Sequence, residues 1–492
     1  MPNAEGKLRF VYKEIKLALA QRSIPAVNLL REQVISNSAR GATTQAGLNI
    51  KDMATKSKKQ SVSKNKQKQP GSTVKIALLG FGTVGSSVAR VLAASKFPGL
   101  QLTHIYNRSV ARKRTSPAAS SVPASVVWTE NIDDILKSDV DIVVELIGGL
   151  TPIEGWLRKA LAAGKSVVTA NKQLIAYRGA SLAKVAAQHH VHLAYGAAVA
   201  GGVPVIPGMQ QGLGGDQVSR ISGIVNGTCN YILSRMESGS EYASVLADAQ
   251  QLGYAEANPS ADVDGFDARA KLCILSRIAL HAELDPDAVT TQTISTVEAI
   301  DFTYAKELNC TIRQVSRAQQ EGNIVHARVA PMLVPLTSPM AWSHGTQNMV
   351  VVSGKFGGDV VFSGHGAGGE PTAVAVVSDI LAVAQSCKSV QLPVRRRAVT
   401  GEFLAPHYLR FVVDDKPGIV SAIAGALAKV GANIDSLLQR PGHPKHRLPF
   451  VVTTEPCLTS TIELAIESIA RMDCMLEPPL CLQILVAEDK PE

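Results

Sequence analysis

The 492-residue sequence is poor in aromatic residues and cysteines, and it lacks a long apolar segment that would cross a membrane. Aromatics make up 4% of the chain, while Ala, Val, Gly and Leu dominate, as in α/β proteins with parallel sheets. The seven cysteines are scattered without a CxxC pair, which implies no zinc site and is typical of a cytoplasmic protein. The longest uncharged stretch, residues 193–215, is broken by prolines and glycines, so we expect no membrane contact.

Acidic residues are scarce at the N terminus. Residues 1–75 contain 15 Lys and Arg against four Asp and Glu, so the net charge of +9 belongs to this segment and the remainder is near neutral. In the low-complexity stretch KSKKQSVSKNKQKQPGS, residues 56–72, the positive charges repel one another, and there are too few apolar side chains to form a core. We therefore predict that residues 1–73 form a basic, disordered extension, with no nucleic-acid partner and no secretory signal.

A glycine-rich turn follows the first buried strand. The apolar run VKIALLG ends in GFGTVG, and the next residues have helical periodicity. Gly80 permits the tight turn, Gly82 lets backbone amides approach a pyrophosphate, and Gly85 allows close packing of the helix. The turn as a whole is predicted to bind a dinucleotide, and its other members are Phe81, Thr83 and Val84.

The end of the second strand decides which nicotinamide cofactor is preferred. An acid there would bind a ribose 2′-hydroxyl, whereas an arginine suits a 2′-phosphate. The chain has Arg108 after this strand, followed by Arg112, Lys113 and Arg114, and no acid. This pattern predicts NADP over NAD; the alternative is a solvated basic loop.

Strand and helix patterns divide the chain into three folded regions. Residues 74–200 alternate strand and helix, which predicts a doubly wound, Rossmann-type sheet. Residues 201–393 read as an α+β substrate-binding and catalytic region, with a late helix that returns to the first domain. A linker at 394–407 leads to residues 408–486, whose βαββαβ order is ferredoxin-like.

The segment LGYAEANPSADVDGFDARAKL, residues 252–272, contains a carboxylate and an ammonium at helical spacing. Asp267 and Lys271 share a face at the start of an apolar helix. A lysine held by a carboxylate beside an apolar core can donate and accept a proton. The alternative is an ordinary ion pair at a helix start. Lys172 ends the strand of VVTANK and is expected to face the ligand crevice, unless it is a surface lysine.

These motifs together resemble one enzyme family. GFGTVG, DIVVELIGG, VVTANK, NGTCNYIL, the 252–272 segment, HARVAPMLVP and GAGGEPTAVAVVSD follow the order and spacing of homoserine dehydrogenases over residues 74–400. The stretch VVDDKPGIVSAIAGALAKVGANIDSLLQ resembles an ACT domain, an amino-acid-sensing module. The resemblance implies NAD(P)-dependent interconversion of L-homoserine and L-aspartate 4-semialdehyde. It further implies inhibition by threonine and a homodimer or homotetramer.

The resemblance also implies roles for individual residues. Lys271 matches the proton donor and acceptor, and Lys172 matches a second active-site lysine on the cofactor side. Asp267 matches an aspartate that contacts the substrate and orients the lysine. The resemblance also implies that Glu256 and Asp262 bind the substrate and that Gly253 and Gly368 lie on the cofactor side.

One loop departs from the family pattern. The family's monovalent-cation loop begins with a glutamate, in a pattern like EAxVGGGIP, where this chain has Gly196 and, further on, Ala200. Backbone carbonyls could still coordinate sodium, and the candidates are Val199, Gly201 and Val203. Without the carboxylate the site loses its anionic ligand, so the sequence predicts a weak or absent cation.

Two other functions remain open from the sequence. The first is a catalytically silent protein that keeps the fold and senses an amino acid. The second is another Rossmann reductase of semialdehydes, which would leave the 252–272 segment unexplained. The presence of Lys172, Glu256, Asp267 and Lys271 together favours an active enzyme.

Overall fold

The computed structural model describes residues 73–95, 97–385 and 395–486, so the predicted basic extension lies outside the described residues except for its last one. The first region alternates strands and helices along the chain. In order, its elements are β1 (Val74–Leu79), α1 (Thr83–Ser95), β2 (Leu100–Tyr106), α2 (Val110–Arg114), β3 (Val127–Thr129), α3 (Ile132–Leu136), β4 (Ile142–Glu145), α4 (Ile153–Ala162), β5 (Ser166–Thr169), α5 (Lys172–Gln188) and β6 (Leu193–Ala194).

The six strands of this region form one parallel sheet in the order β3-β2-β1-β4-β5-β6. Alternate residues of β1 enter two different cores, Ile76 and Leu78 on one face and Ala77 and Leu79 on the other. Helices therefore cover both faces, which confirms the doubly wound fold. The strand order reverses between β1 and β4, and a ligand crevice is expected at the carboxyl ends of these strands.

The second region is built on an antiparallel sheet. Its elements are α6 (Val205–Pro207), β7 (Val218–Ile224), α7 (Gly227–Glu237), α8 (Tyr242–Gln251), α9 (Ser260–Val263), α10 (Phe266–Ala279), β8 (Ala282–Glu283), β9 (Thr290–Thr291), α11 (Ala299–Glu307), β10 (Cys310–Glu321), β11 (Ile324–Pro335), β12 (Gln347–Gly354), β13 (Gly358–His365) and α12 (Gly369–Ala384). Strands β13, β12, β7, β10 and β11 are neighbours in that order. Helix α10 packs its apolar side on this sheet, with Leu272 and Leu275 fully buried.

Helix α12 belongs to the second region in sequence and packs against the first. Its residues Ala373, Val376 and Ile380 are buried in the same core as Ile76 and Leu78. The two regions are thereby joined by apolar burial, which places residues of the second sheet beside the crevice of the first.

The C-terminal region has a ferredoxin-like strand order, β21-β17-β19-β18. Its elements, with the short strands that precede it, are β14 (Arg395–Arg396), β15 (Ala398–Thr400), β16 (Leu404–Ala405), β17 (His407–Val413), α13 (Ile419–Lys429), β18 (Ile434–Leu438), β19 (Leu448–Thr454), β20 (Cys457–Leu458), α14 (Thr459–Ile469) and β21 (Leu480–Ile484). Strand β21 pairs in parallel with β11, so the two sheets form one continuous sheet of eleven strands.

A buried polar network stabilises this junction between the second and the C-terminal regions. The Tyr408 hydroxyl donates to Asp301 Oδ1 at 2.7 Å, and both side chains are fully buried. Arg410 Nε lies 2.9 Å from the same Asp301 oxygen, and its Nη1 lies 3.0 Å from Glu298. Burial raises the pKa of Asp301 to about 6, although Arg410 opposes this shift. The C-terminal region is therefore joined to helix α11 by these charges and to strand β11 by the pairing of β21.

Within the described part of the chain, no helix is both long and apolar enough to cross a membrane.

Candidate active site

The candidate site lies where helix α10 of the second region meets the start of α5 in the first. Gly265, at φ +83°, adopts the left-handed conformation immediately before α10. Asp267 follows in the first turn of α10, where the helix dipole favours a carboxylate, and Lys271 lies one turn further on. Lys172 is the first residue of α5, after an Asn171 side chain that accepts the Leu174 amide at 3.1 Å.

Asp267 bridges the two lysines. Its Oδ2 lies 2.7 Å from Lys271 Nζ, and its Oδ1 lies 2.6 Å from Lys172 Nζ. The Asp267 side chain is 7% exposed and that of Lys271 is 12% exposed, whereas Lys172 is 40% exposed. A buried carboxylate is stable only when it is paired, and here two ammonium groups from two regions provide the pairing.

The shared carboxylate separates the pKa values of the two lysines. Burial lowers the pKa of Lys271, and the nearby Lys172 ammonium adds to this shift, while Asp267 opposes it. Burial also disfavours the charged form of Lys172, but Asp267 outweighs it and the pKa of Lys172 is raised. The two lysines hold the pKa of Asp267 well below its usual range, although burial alone would raise it. Paired groups with divergent pKa values are typical of acid–base sites.

The turn after strand β7 contacts both Asp267 and Lys271. The sequence identifies it only as part of the motif NGTCNYIL, without a role for any of its residues. Lys271 Nζ donates to the Val225 carbonyl at 2.7 Å. The Asn226 amide donates to Asp262 at 2.7 Å and to Asp267 at 2.9 Å. In the sequence, Asn226 is recognisable only as a helix cap before GTCNYIL.

Asp262 and Glu256, the acids of the 252–272 segment predicted to bind substrate with Asp267, differ in their surroundings. Asp262 is partly buried, and burial raises its pKa, with the Asn226 hydrogen bond acting in the opposite direction. Glu256 is exposed, yet its charge contributes to the raised pKa of Lys172. The structure thus gathers Lys172, Lys271, Asp262 and Asp267 tightly and places Glu256 at their solvent side.

The glycine-rich turn has the geometry that a dinucleotide requires. Gly80, at φ +104°, adopts a conformation that favours glycine. A Cβ on Gly85 would lie 2.3 Å from the Gly80 carbonyl, whereas a Cβ on Gly82 would meet open space. Phe81 is buried edge-on against Trp128, so its ring belongs to the core of the first region. Thr83 begins helix α1 and Val84 follows it, which directs backbone amides at the crevice.

A buried glutamate, Glu145, supports the neighbouring loop and was not predicted from the sequence. It ends strand β4 and accepts the amides of Ile147 and Gly148, each at 2.8 Å. Its other oxygen accepts the Thr169 hydroxyl at 2.6 Å. These bonds hold residues 146–149 against Gly80, since a Cβ on Gly80 would lie 3.0 Å from the Leu146 carbonyl.

The remaining predicted cofactor positions lie in turns. Arg108 is exposed just beyond strand β2. Gly253 is exposed at φ +74°, and Gly368 at φ +115° immediately precedes helix α12. A Cβ on Gly201 would lie 2.3 Å from the Gly366 carbonyl, so the loop at 199–203 touches the turn that contains Gly368.

A carboxylate from another element occupies the place next to Gly196. Asp379 of helix α12 accepts the Gly196 amide at 2.7 Å, and a Cβ on Gly196 would lie 2.7 Å from its Oδ1. Burial raises the pKa of Asp379 to about 7. The loop itself offers only backbone oxygens, and the Val203 carbonyl already accepts the Val205 amide at 2.8 Å. The residues present therefore fit a carboxylate-ligated cation poorly.

Three sequence models of known families match the chain. Residues 80–196 match the model described as homoserine dehydrogenase, NAD binding domain, and residues 204–381 match homoserine dehydrogenase. Residues 407–472 match the ACT domain. A curated homoserine dehydrogenase of Mycobacterium tuberculosis is 44% identical over 390 residues, which cover 74% of this chain and 86% of that protein.

Solved structures give the same result. A homoserine dehydrogenase from Thiobacillus denitrificans superposes with a TM-score of 0.76 at 32% identity, over 84% of this chain and 98% of that one. A hyperthermophilic archaeal homoserine dehydrogenase in complex with NADPH superposes with a TM-score of 0.55 at 25% identity, over 65% of this chain and all of that one.

Two matched substitutions should differ in their effect on the free energy of unfolding. Asp267→Asn leaves Lys271 and Lys172 unpaired and should destabilise the fold by about 3 kcal/mol at pH 7. Because folding lowers the pKa of Asp267, this contribution is present above about pH 4 and is lost at lower pH. Because folding raises the pKa of Asp262, its ionised form opposes folding at pH 7, and Asp262→Asn should be neutral or stabilising.

Urea unfolding followed by tryptophan fluorescence at pH 7 measures both effects. Equal losses for Asp267→Asn and Asp262→Asn would contradict the assignment of Asp267 as the shared ion-pair partner.

Proposed function

The chain belongs to the homoserine dehydrogenase family, and we propose that Lys271 carries its proton transfer. As an oxidoreductase of this family it acts in amino-acid biosynthesis, and a catalytically silent sensor is not favoured. The reaction is L-homoserine + NAD(P)⁺ ⇌ L-aspartate 4-semialdehyde + NAD(P)H + H⁺. When bound, the nicotinamide cofactor accepts a hydride from the hydroxyl-bearing carbon of homoserine or returns it to the aldehyde carbon.

The hydrogen bonds of Lys271 carry this proposal. An ammonium has three N–H donors, and two of them point at the Val225 carbonyl and at Asp267. The third is left to point at the substrate oxygen. In homoserine oxidation the neutral amine removes the hydroxyl proton, and in the reverse direction the ammonium protonates the alkoxide oxygen. The lowered pKa of Lys271 favours the neutral amine that homoserine oxidation requires.

Lys172 and Asp267 prepare Lys271 for this task. The raised pKa of Lys172 keeps it an ammonium, so it holds one Asp267 oxygen while Lys271 contacts the other. Lys172 also adds positive charge where an alkoxide would develop. Its position after strand β5 supports contact with both cofactor and substrate.

The substrate's amino group needs negative charge within reach of this centre. Asp262 and Glu256 both act electrostatically on Lys172, so both lie close to the reacting groups. We assign them to the homoserine ammonium, with Asp267 contributing from the buried side. Gly253, close to Glu256 in the chain, and Gly368, at the start of α12, are assigned to the cofactor side.

Replacement of the proton-transfer lysine tests the central assignment. Lys271→Ala should lower kcat for homoserine oxidation by about 10²-fold or more, because an acid–base group is lost. The assay is homoserine-dependent NADP⁺ reduction followed by absorbance, with circular dichroism to verify the fold. Lys355→Ala, in the turn between β12 and β13, is the control and should keep wild-type turnover. Near-wild-type kcat for Lys271→Ala would remove this lysine from the chemistry.

We propose that the enzyme prefers NADP. Arg108, Arg112, Lys113 and Arg114 follow strand β2, and Arg108 and Arg112 are exposed where a 2′-phosphate would lie. A solved relative with bound NADPH supports this preference.

Removal of the first arginine should erode the cofactor preference. Arg108→Ala should lower kcat/KM for NADPH about tenfold while changing that for NADH less than twofold, since one charge-assisted phosphate contact is lost. Arg471→Ala, an exposed arginine of the C-terminal region, is the control. Equal kcat/KM values for the two cofactors in the wild-type enzyme would contradict NADP preference.

We derive no catalytic step from a monovalent cation. The loop lacks the carboxylate that the family places at residue 196, and Asp379 there is engaged by backbone amides. Any sodium would depend on the carbonyls of Val199, Gly201 and Val203.

We propose that the C-terminal region binds threonine and alters the active site through residues 292–298. The Gln292 side chain donates to the Cys481 carbonyl of β21 at 3.0 Å. Ile294 donates its amide to the Val263 carbonyl at 3.0 Å, next to Asp262. Glu298 pairs with Arg410 of β17. This segment therefore contacts both the sensing region and the substrate-binding loop.

An isosteric change at the junction should weaken inhibition while keeping the sensing region. Deletion of that region would instead remove Tyr408, Leu480 and Leu482 from a core that they share with Ile312 and Leu333. Asp301→Asn removes a charge facing Arg410 and should raise the half-inhibiting threonine concentration about fivefold, with uninhibited turnover retained. Glu307→Gln is the control, because its pair with Arg440 is half-exposed and contributes little.

Initial rates across a threonine titration measure this effect. Insensitivity of the wild type to threonine would contradict threonine as the effector. Identical shifts for Asp301→Asn and Glu307→Gln would contradict coupling through the buried network.

The described cysteines are all free thiols, which supports a cytoplasmic enzyme, and the family resemblance supports a homodimer or homotetramer.

A further inference from the structure

The side-chain amide of Asn226 has every polar atom engaged. The residue is 4% exposed, at the end of the turn that follows β7. Its Oδ1 accepts the Cys229 amide at 2.8 Å and so caps helix α7. Its Nδ2 donates to Asp262 Oδ1 at 2.7 Å and to Asp267 Oδ2 at 2.9 Å. The preceding carbonyl, of Val225, accepts from Lys271.

We propose that Asn226 is a positioning residue for the hydride reaction. Its single amide bridges two carboxylates and fixes their relative position. One of them receives the substrate ammonium, and the other orients the proton-transfer lysine. The inference rests on the roles proposed above for Asp262, Asp267 and Lys271. Asn226 has no donor left for substrate, so it acts through these neighbours.

The requirement for asparagine follows from the two tasks of its side chain. A helix cap needs only an oxygen, so serine, threonine or aspartate would serve at this position. Two carboxylates on adjacent helices repel each other, and bridging them requires a neutral group with two N–H donors. Serine has one hydrogen to donate, and aspartate would add a third negative charge. Among common capping residues, asparagine alone meets both needs.

The bridge also affects the charge of Asp262. Four titratable groups face this carboxylate: Asp267 and Lys271 from α10, Lys172 from α5, and the protonated thiol of Cys229 from α7. Burial and Asp267 raise the pKa of Asp262, while Asn226 and the two lysines lower it. Loss of the Asn226 donor should therefore raise this pKa further. Below it, Asp262 is neutral and cannot pair with the substrate ammonium.

Asn226→Ser tests the proposal, because serine retains the cap oxygen and cannot bridge both carboxylates. The measurement is KM for homoserine and kcat from about pH 4 to pH 9 by NADP⁺ reduction, with melting temperature as the fold control, so that the range begins near the ordinary pKa of an aspartate. We expect the pH below which KM rises to increase by about one unit, so that KM on the acid side is about tenfold higher. We expect kcat at saturating homoserine to change less than threefold, because Asp267 retains its ion pairs with both lysines.

Two further variants separate positioning from capping. Asn226→Asp keeps the cap and the shape but adds a carboxylate, and it should move the acid limb of KM further than serine does. Asn131→Ser is the matched control, because Asn131 accepts the Asp133 amide and donates to Asp134 in the same way, away from the two lysines. It should leave the pH profile of KM unchanged.

The proposal is overturned if the KM profile of Asn226→Ser follows that of the wild type, or if kcat falls uniformly with KM unchanged. A wild-type enzyme without homoserine-dependent NADP⁺ reduction would instead overturn the proposed function, and the inference with it.

Discussion

The burial of one carboxylate, Asp267, constrains the rest of the active site. An ionised acid at this depth needs compensating charge, and a single lysine on its own helix would satisfy only one of its oxygens. The second oxygen is satisfied by Lys172, which belongs to the nucleotide-binding sheet. The ion pairs of Asp267 are therefore also an electrostatic link between the two regions. We propose that cofactor and substrate meet at this link, because each region contributes one lysine to it.

The same principle operates at the C-terminal junction. Asp301 is fully buried and is compensated by Arg410 and the Tyr408 hydroxyl, both from strand β17. Strand β21 extends the catalytic sheet at β11, so the sensing region is an extension of the catalytic core and not a tethered module. A buried charge tolerates little displacement of its partner, since separation leaves it unpaired. A ligand that moves β17 would therefore also displace helix α11, which contains Asp301.

Local patterns predicted much of this molecule. The glycine-rich turn, the βαββαβ order and the Asp267–Lys271 spacing each depend on residues close in sequence, and the doubly wound fold is confirmed. Contacts between distant segments were not predictable in this way. The Lys172–Asp267 ion pair spans two regions, and the pairing of β11 with β21 has no signature in either strand. The sequence assigns no role to Asn226 within NGTCNYIL, because the partners of its Nδ2 lie on other elements. Glu145 was overlooked because an acid that ends a buried strand has no local pattern.

Gly196 illustrates how a change at one residue depends on a distant partner. The missing glutamate, considered in sequence alone, predicts only the loss of a cation ligand. In the structure, Asp379 of helix α12 lies where a side chain at 196 would begin, and it accepts the Gly196 amide. Burial raises its pKa to about 7, so this carboxyl tolerates either charge state near neutrality. Any larger residue at 196 would require Asp379 to move, and helix α12 packs against the nucleotide-binding core. The turn at 196 is thus held by the Asp379 carboxyl. This carboxyl occupies the space that a glutamate side chain at 196 and its bound ion would need.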